Sequence, residues 1–425
     1  MPEFLTLLPP DEAREKLFSH LPQPQPATEV IDVVASLGRI LAEDIAAPHP
    51  LPDFRRSTVD GFAVRAKDTY GASDSLPAYL ALIGEVPMGD APKSALQAGQ
   101  CMTIHTGGML PEGADAVVML EFTQTSGLGS DVDEKIEVEI LKSVAEGENL
   151  IAVGEDVAQG QTVQAKGSLM RPAEIGGLMA LGITRVRVSR KVRVGLISSG
   201  DEVIPPFESP RPGQVRDVNS YTLGALVEKA GGQPVYYGIV GDSFKKLKAT
   251  AAQALSECDA VIITAGSSAS TRDMTADVID QLGEPGVLVH GVNTRPGKPT
   301  ILGVCAEKAV IGLPGNPVSA LVNGYMLVVP LIERLLGKTP RLKATVQAKL
   351  TVNLPSQAGR EDWWPVRLGS SSGREGRNED IQYLAEPIFG KSNLIFTLAA
   401  ADGLLKIPPD ATGLSAGETV EVLLI

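Results

Sequence analysis

Four loops in the second half of the chain combine glycine with hydroxyl, amide or carboxyl side chains. They occupy residues 198–202, 241–243, 265–270 and 313–317, and each follows an apolar run. Glycine lets a backbone approach a ligand closely, and hydroxyl and backbone N–H groups donate hydrogen bonds to anions. One such loop indicates only a tight turn, whereas four at one sheet edge predict a site for a phosphate-bearing anion. The candidate binding residues in these loops are Ser199, Gly200, Asp201, Gly266, Ser267, Ser268, Gly315 and Asn316.

Acidic side chains follow the same apolar runs. They are Asp201, Glu202, Asp242 and Asp273. Most carboxylates are solvated or cap helices, and Asp242 lies where a helix cap is expected. Several carboxylates around a phosphate would repel it unless a cation lay between them. Because Mg²⁺ is usually held by one or two carboxylates together with ligand oxygens, the pattern predicts a magnesium ion beside the anion.

Positive charges that suit an anion occur in two further segments. Arg295 and Lys298 share one turn, where arginine offers a planar pair of donors and lysine a point charge. A solvated basic turn is the alternative. In segment 52–64, two arginines, a serine and a threonine precede Asp60. This segment either holds an oxyanion and supplies a base or is an ordinary loop.

The composition limits the class of protein. The 425 residues carry a net charge of −13, which argues against a general nucleic-acid binder because phosphate backbones need a basic face. Three cysteines are far apart and only four histidines occur, so we expect buried free thiols, a cytoplasmic location and no protein-borne zinc site. The first residues lack the pattern of a signal peptide, and the apolar stretch at 325–332 is expected to be too short to span a bilayer.

The elements around the loops predict an α/β multidomain protein. Between residues 191 and 337, apolar runs alternate with helical stretches, which predicts a doubly wound parallel sheet covered on both faces. Asn219 and Ser220 are expected to cap one helix, and Gly231 and Gly232 to end it.

The remaining segments predict three further domains. Helices are expected at 11–20 and 35–44, followed by short strands and turns from 50 to about 170, and Pro172 then opens a helix that ends at Gly182. After residue 340, alternating apolar residues predict strands again. The predicted domains are a mixed helical and β N-terminal domain at 1–49 and 150–190, an inserted β-rich domain at 50–149, the α/β domain at 191–338 and a small C-terminal β-barrel at 339–425.

Six segments, in this order, resemble the MoeA family of molybdopterin molybdenumtransferases, which includes the plant molybdenum insertase domain and the E domain of gephyrin. The segments are RSTVDGFAV at 56–64, HTGGMLPEGADAVV at 105–118, GED at 154–156, ISSGDEV at 197–203, RPGKP at 295–299 and GLPGNPVSA at 312–320. The run AADGLLKIP at 400–408 agrees, so the resemblance covers essentially the whole chain.

The resemblance implies magnesium-dependent insertion of molybdate into adenylylated molybdopterin, with release of AMP. It also implies an elongated homodimer, with the site between the α/β domain of one subunit and the β-rich domain of the other. Asp60 is then catalytic with Thr106 beside it, and Arg295 and Lys298 bind molybdate or phosphate. The residues implied to organise magnesium or the substrate are Asp156, Glu202, Asp242 and Asp273. The residues implied to shape the pterin-side loop are Pro314 and Pro317.

The sequence departs from the family pattern at Arg55 and Arg56, in the loop 265–273, and at Arg295, which is often lysine. Two alternatives to insertion remain open: nucleotidyl transfer, as by the enzyme that adenylylates molybdopterin, and a non-catalytic scaffold of the same fold. The expected partners are the small-molecule substrates, a second subunit, and contacts with the adenylyltransferase and with molybdoenzymes. Neither nucleic acid nor membrane is expected as a partner.

Overall fold

A computed structural model of the chain describes residues 7–126, 136–265, 269–371 and 382–425. Within these ranges the strands form three six-stranded sheets and several two-stranded ribbons. The predicted class, an α/β multidomain protein with a β-barrel near its C-terminus, is confirmed. The domain boundaries at residues 49, 149, 190 and 338 remain our proposal for how these sheets divide the chain.

The first 190 residues form an N-terminal unit with a β-rich unit inserted in it. Strand β1 pairs with β12 and β2 with β11, so the chain before the insertion rejoins the chain after it. The β-rich sheet has the order β7-β4-β6-β5-β9-β8. The elements, in chain order, are α1 (Pro10–His20), β1 (Thr28–Asp32), β2 (Ile45–Ala46), β3 (Arg56–Ser57), β4 (Gly61–Val64), β5 (Ala78–Glu85), β6 (Gln100–Ile104), β7 (Ala116–Met119), β8 (Thr123–Ser126), β9 (Glu137–Ile140), β10 (Leu150–Ile151), β11 (Thr162–Gln164), α2 (Pro172–Ala180) and β12 (Arg185–Ser189).

The helix predicted at 35–44 is wrong. Only a short 3-10 turn, Val33–Ala35, forms before the chain reverses at Gly38, whose φ is +75°. After this turn, Ile40 and Leu41 form β-bridges and are both buried. The apolar residues that mimicked a helical face therefore belong to extended backbone. By contrast, α1 and α2 form where the sequence placed them.

The next unit is the doubly wound α/β domain. Its elements are β13 (Arg193–Ser199), β14 (Val203–Ile204), β15 (Val215–Arg216), α3 (Asn219–Lys229), β16 (Gln233–Val240), α4 (Phe244–Glu257), β17 (Ala260–Ala265), α5 (Ala269–Asp280), β18 (Pro285–His290), β19 (Thr294–Arg295), β20 (Ile301–Cys305), β21 (Lys308–Pro314), α6 (Pro317–Asn323) and α7 (Val329–Leu335), with a π-helical turn at Gly324–Val328. The sheet order is β16-β13-β17-β21-β20-β18.

The first four strands of this sheet are parallel, as predicted, but β20 runs antiparallel to both of its neighbours, β21 and β18. Residues from α4 and α5 pack on one face of the sheet, and residues from α1, α3 and α7 pack on the other. The sheet is therefore covered on both sides, and its ligand-accessible edge lies at the carboxyl ends of the parallel strands.

One helical run among the described residues, Pro317–Leu335, has the length and apolarity that a membrane span needs. The expectation that the apolar stretch here is too short to span a bilayer is therefore wrong, because the helical run has 19 residues. However, 61% of its most apolar window is buried inside the structure, where Leu327 and Leu331 join the α/β core. The run is thus a core helix of this domain.

The C-terminal unit is a closed five-stranded barrel. The strands β24, β25, β22, β28 and β26 pair in that order, and β26 returns to β24. Strand β19 of the α/β domain adds to β24 at Arg295 and Asp362, which joins the two units. The elements are β22 (Thr345–Leu350), β23 (Leu354–Pro355), β24 (Glu361–Ser371), β25 (Gln382–Pro387), α8 (Phe396–Ala399), β26 (Gly403–Ile407), β27 (Gly413–Leu414) and β28 (Thr419–Leu424).

Candidate functional site

A cavity of about 620 Å³ opens at the carboxyl edge of the parallel strands. Ser199 pairs with Val240 and Ala265 with Pro314, so the ends of four strands lie side by side here. This edge is where the glycine-rich loops were predicted to meet. The predicted site residues that line the cavity are Ser199, Glu202, Gly315, Asn316 and Pro317.

Two buried polar atoms on the wall of this cavity have no hydrogen-bond partner. The Ser199 side chain is 2% exposed, and its Oγ is unpaired. Asn219 is 8% exposed, and its Nδ2 donates to the carbonyl of Gly315 at 2.9 Å while its Oδ1 is unpaired. A buried polar group without a partner costs about 1–3 kcal/mol, so a ligand that pairs with both atoms explains why they are retained.

The start of α3 differs from the prediction. Asn219 is its first helical residue and makes no cap hydrogen bond, and the N–H of Ser220 instead donates to Asp217 Oδ1 at 3.1 Å. The predicted cap by Asn219 and Ser220 is therefore wrong, and it is Asp217 that satisfies the amide. Freed from capping, Asn219 links the start of α3 to the loop before α6. Arg216 also lines the cavity and was not a candidate from the sequence.

Three of the predicted carboxylates cluster beside this cavity. Asp201 Oδ1 accepts the N–H of Asp242 at 3.0 Å. Burial raises the pKa of Asp242 above its usual range, and the negative charges of Asp201 and Glu202 raise that pKa further. Glycine suits position 200, because its φ is +145°, a backbone conformation that residues with a Cβ rarely adopt.

The donor set of this cluster suits magnesium only in part. All of its side-chain donors are carboxylate oxygens, which Mg²⁺ prefers. Within the described residues, however, no three His, Cys, Asp or Glu side chains are arranged to hold a metal. Since Mg²⁺ commonly takes one or two carboxylates and completes its shell with phosphate oxygens and water, the cluster fits a metal that arrives with a phosphate ligand.

A second cavity, of about 930 Å³, lies between the α/β domain and the barrel. Four cationic side chains line it: Arg295 and Lys298 from the α/β domain, and Arg360 and Lys391 from the C-terminal unit. Asn316 and Asn393 line both cavities, so the two spaces adjoin. Pro314, predicted for the pterin-side loop, lines this second cavity.

Arg360, Lys391 and Asn393 were missed from the sequence. They lie in the short segments GREDWW at 359–364 and FGKSN at 389–393, in which glycine precedes a cation. That signal was present, but these segments reach the α/β domain through contacts between distant parts of the chain. The first is joined by the pairing of β19 with β24, and the second by the hydrogen bond from the Val318 N–H to the carbonyl of Ser392 at 3.0 Å.

Asp60 and Thr106 lie close together where two interior strands of the β-rich sheet begin and end. Asp60 comes just before β4, and Thr106 follows β6. Asp60 Oδ1 accepts the N–H of Thr106 at 2.7 Å and its hydroxyl at 3.2 Å. His105 Nδ1 lies 3.7 Å from the same oxygen, and its Nε2 lies 2.9 Å from Glu85 Oε1. The Thr106 N–H lowers the pKa of Asp60 most, with smaller contributions from the Thr106 hydroxyl and His105, against an opposing effect of burial.

The remaining candidates are not brought together with these groups. Asp156 is exposed in the loop after strand β10, and β10 pairs with β3 of the β-rich unit. Asp273 lies in the first half of α5, and its side chain is outside the described residues, as are Gly266, Ser267 and Ser268. Within the described ranges, no hydrogen bond or ion pair joins Asp60, Thr106 or Asp156 to the α/β unit.

Comparison with known proteins covers nearly the whole chain. Family models match residues 8–182 (MoeA N-terminal region, domains I and II), 195–334 (probable molybdopterin binding domain) and 347–425 (MoeA C-terminal region, domain IV). A molybdopterin biosynthesis protein of Methanocaldococcus jannaschii is 38% identical over 97% of this chain and 95% of its own. The molybdopterin molybdenumtransferase of Bacillus subtilis is 33% identical over 100% of this chain and 96% of its own.

A solved structure has the same architecture. The crystal structure of the molybdopterin biosynthesis protein MoeA from Pyrococcus horikoshii OT3 superposes with a TM-score of 0.84 at 33% identity. The match covers 99% of this chain and 100% of that one.

Proposed function

Because the chain belongs to the MoeA family of molybdopterin molybdenumtransferases, we propose that it inserts molybdate into adenylylated molybdopterin, with release of AMP. The chain is a transferase of molybdenum cofactor biosynthesis.

The adjoining pair of cavities is the observation that carries this proposal. The 620 Å³ space offers unpaired Ser199 Oγ and Asn219 Oδ1, and its loops supply backbone amides. These groups suit a large polar ligand with phosphates. The 930 Å³ space adds Arg295, Lys298 and two further cations, which suit a small oxoanion. A pterin dithiolene with its phosphates in the first space and molybdate in the second would bring the two reactants into contact.

The roles of the side chains follow from their charges. Lys298, Arg295 and Arg360 neutralise the oxoanion and the negative charge that develops on the departing phosphate. When bound, magnesium supplies Lewis-acid stabilisation of that phosphate. Glu202 and Asp242 are the carboxylates that we expect to hold it, with Asp201 fixing the backbone of Asp242.

Asp60 is proposed to orient the oxoanion or a water molecule through the oxygen that does not bind Thr106. Its lowered pKa keeps it a carboxylate, and therefore an acceptor, across the working pH range. Asp60, Thr106 and Asp156 lie in or beside the β-rich unit without a link to the α/β unit of the same chain among the described residues. We therefore propose a homodimer in which these residues act on the cavities of the partner subunit.

Location and partners are part of the same proposal. The cysteines Cys101, Cys258 and Cys305 are free and buried, as predicted, which agrees with a reducing cytoplasm. The substrate would come from a molybdopterin adenylyltransferase, and molybdoenzymes would accept the product, so we expect transient contacts with both.

The test is a reconstituted reaction. Purified protein is mixed with adenylylated molybdopterin, Mg²⁺ and molybdate, AMP release is followed, and the product is offered to a molybdenum-free apo-enzyme. We expect both AMP release and activation, and we expect Asp60→Asn to lose both by at least about 100-fold because a charged acceptor at the reacting atoms is removed.

Other outcomes separate the alternatives. Consumption of ATP with free molybdopterin would identify a nucleotidyl transferase. Tight binding of the pterin without turnover would identify a scaffold. AMP release without activation of the apo-enzyme would indicate hydrolysis or a different oxoanion, and tungstate would then replace molybdate in the assay.

A further inference from the structure

A buried carboxylate lies beneath two of the cations of the 930 Å³ cavity. Asp362 has a side chain that is 1% exposed. Its Oδ1 accepts Arg360 Nε at 2.8 Å, and its Oδ2 accepts Arg360 Nη2 at 3.3 Å and Ser356 Oγ at 2.9 Å. Arg295 Nη1 lies 3.6 Å from the same Oδ2. One carboxylate thus contacts an arginine from each wall of the cavity.

The position of Asp362 in the fold explains how it reaches both walls. It lies in β24 of the barrel, directly paired with Arg295 of β19 in the α/β domain. Arg360 precedes it by two residues on the barrel side. The carboxylate therefore stands at the junction of the two units and ties Arg295 to Arg360.

Charge alone gives no reason for a carboxylate at this place. A negative group beneath an anion site lowers the positive potential and weakens anion binding. Burying a carboxylate also carries a desolvation cost, which its three hydrogen bonds and its ion pairs with Arg360 and Arg295 offset. The benefit of this carboxylate must therefore be geometric. Because Asp362 holds Nε and one Nη2 donor of Arg360, the remaining donors of the planar guanidinium have a fixed direction.

We propose that Asp362 is a positioning residue that holds Arg360 and Arg295 in the orientation that a tetrahedral oxoanion requires. The inference rests on the proposed function, in that it assigns the oxoanion to this cavity. Fixed donors also confer selectivity, because their spacing matches one oxoanion size better than another. Since molybdate is the proposed substrate, the spacing that Asp362 fixes is inferred to suit molybdate better than the smaller sulfate.

The test uses Asp362→Asn in the full-length protein, with molybdate binding measured by calorimetry and sulfate as competitor. We expect molybdate to bind about tenfold more weakly, the preference over sulfate to fall by a similar factor, and the KM for molybdate to rise while kcat changes by less than about twofold. Tighter binding, which a purely electrostatic effect of the carboxylate predicts, would overturn the proposal, and so would unchanged binding.

A neighbouring carboxylate provides a matched control. Glu361 is also buried, and it pairs with Lys406 at 3.0 Å; neither residue lines the cavity. Glu361→Gln should lower thermal stability about as much as Asp362→Asn does and leave molybdate affinity unchanged. An equal loss of molybdate affinity in both variants would show that general destabilisation, and not positioning, is responsible.

A milder variant covers the case in which Asp362→Asn does not fold. Ser356→Ala removes one hydrogen bond to Asp362 Oδ2 and keeps the carboxylate, so we expect molybdate to bind about two- to threefold more weakly. No change in this variant would count against positioning. Wild-type protein that binds molybdate but releases no AMP would refute the proposed reaction alone, and wild-type protein that binds no molybdate would refute both.

Discussion

The Ser199 hydroxyl provides a test of the cavity at the sheet edge, because its removal should stabilise the fold and weaken substrate binding. Its Oγ is buried and has no hydrogen-bond partner among the described protein atoms, and Ser199 is the last residue of β13. Ser199→Ala removes an unsatisfied polar group and keeps the rest of the side chain. The α/β domain should therefore become more stable by about 1–2 kcal/mol, because the desolvation penalty of the hydroxyl disappears.

The same substitution should weaken substrate binding. If the pterin substrate pairs with Ser199 Oγ, the variant loses one hydrogen bond and leaves a polar atom of the ligand unpaired. A loss of about 1.4 kcal/mol corresponds to tenfold in affinity, so the Kd of adenylylated molybdopterin should rise by about that factor. Thermal unfolding measures the first effect, at about 2–4 °C for each kcal/mol in a domain of this size, and equilibrium titration measures the second.

Ser198 provides the control on the same strand. It is buried like Ser199, but its Oγ lies 2.9 Å from Ser220 Oγ and 3.2 Å from Thr264 Oγ1. Ser198→Ala should therefore lower the unfolding temperature, since it removes the hydrogen bonds of this hydroxyl to Ser220 and Thr264. A Ser199→Ala protein that is destabilised like Ser198→Ala and binds the substrate normally would show that this hydroxyl is paired within the protein and does not contact the substrate.

Three further predictions concern other parts of the molecule. The pKa of Asp60, followed by NMR titration, should lie below its ordinary value of 3.8 and should rise in Thr106→Val. Asp60 should therefore remain charged as the pH falls from 7 to about 5, and its protonation should not cause a loss of activity in that range. A pKa above 3.8 would contradict this prediction. Gly61→Ala should cost about 3 kcal/mol or more in denaturant unfolding, since a Cβ would lie 1.9 Å from the carbonyl oxygen of Val118, and a loss below about 1 kcal/mol would be unexpected. Cys305, whose pKa burial raises to about 11, should resist alkylation at pH 8 until the protein unfolds, and rapid labelling of the native protein would disprove its burial.

The sequence could predict the parallel half of the α/β sheet because its strands are continuous apolar runs separated by helical stretches. It could not predict the hairpin between β20 and β21, since the turn lacks the usual Asn-Gly or Asp-Gly signal. Ala306 and Glu307 adopt positive φ there, at 49° and 63°, in place of glycine or asparagine. In the same way, Leu37, Ile40 and Leu41 imitate a helical spacing that the turn at Gly38 interrupts.

The candidate site was predictable only where its residues follow strands of one sheet. The loops after β13 and β21 meet because parallel strands end at the same edge. The contribution of the barrel, through Arg360 and Lys391, depends on a pairing between distant segments that local sequence does not encode. The buried Asp362 was missed for the same reason, since its partner Arg295 is far away along the chain.

The proposed reaction joins molybdenum to the pterin in these cavities at the expense of the adenylyl group. The most direct measurement separates the pterin product from the protein after reaction and compares its molybdenum content, by elemental analysis, with the AMP released. We expect about one molybdenum per AMP, and neither product in Asp60→Asn. AMP release with no molybdenum on the pterin would show that the protein hydrolyses the adenylylated pterin without inserting the metal.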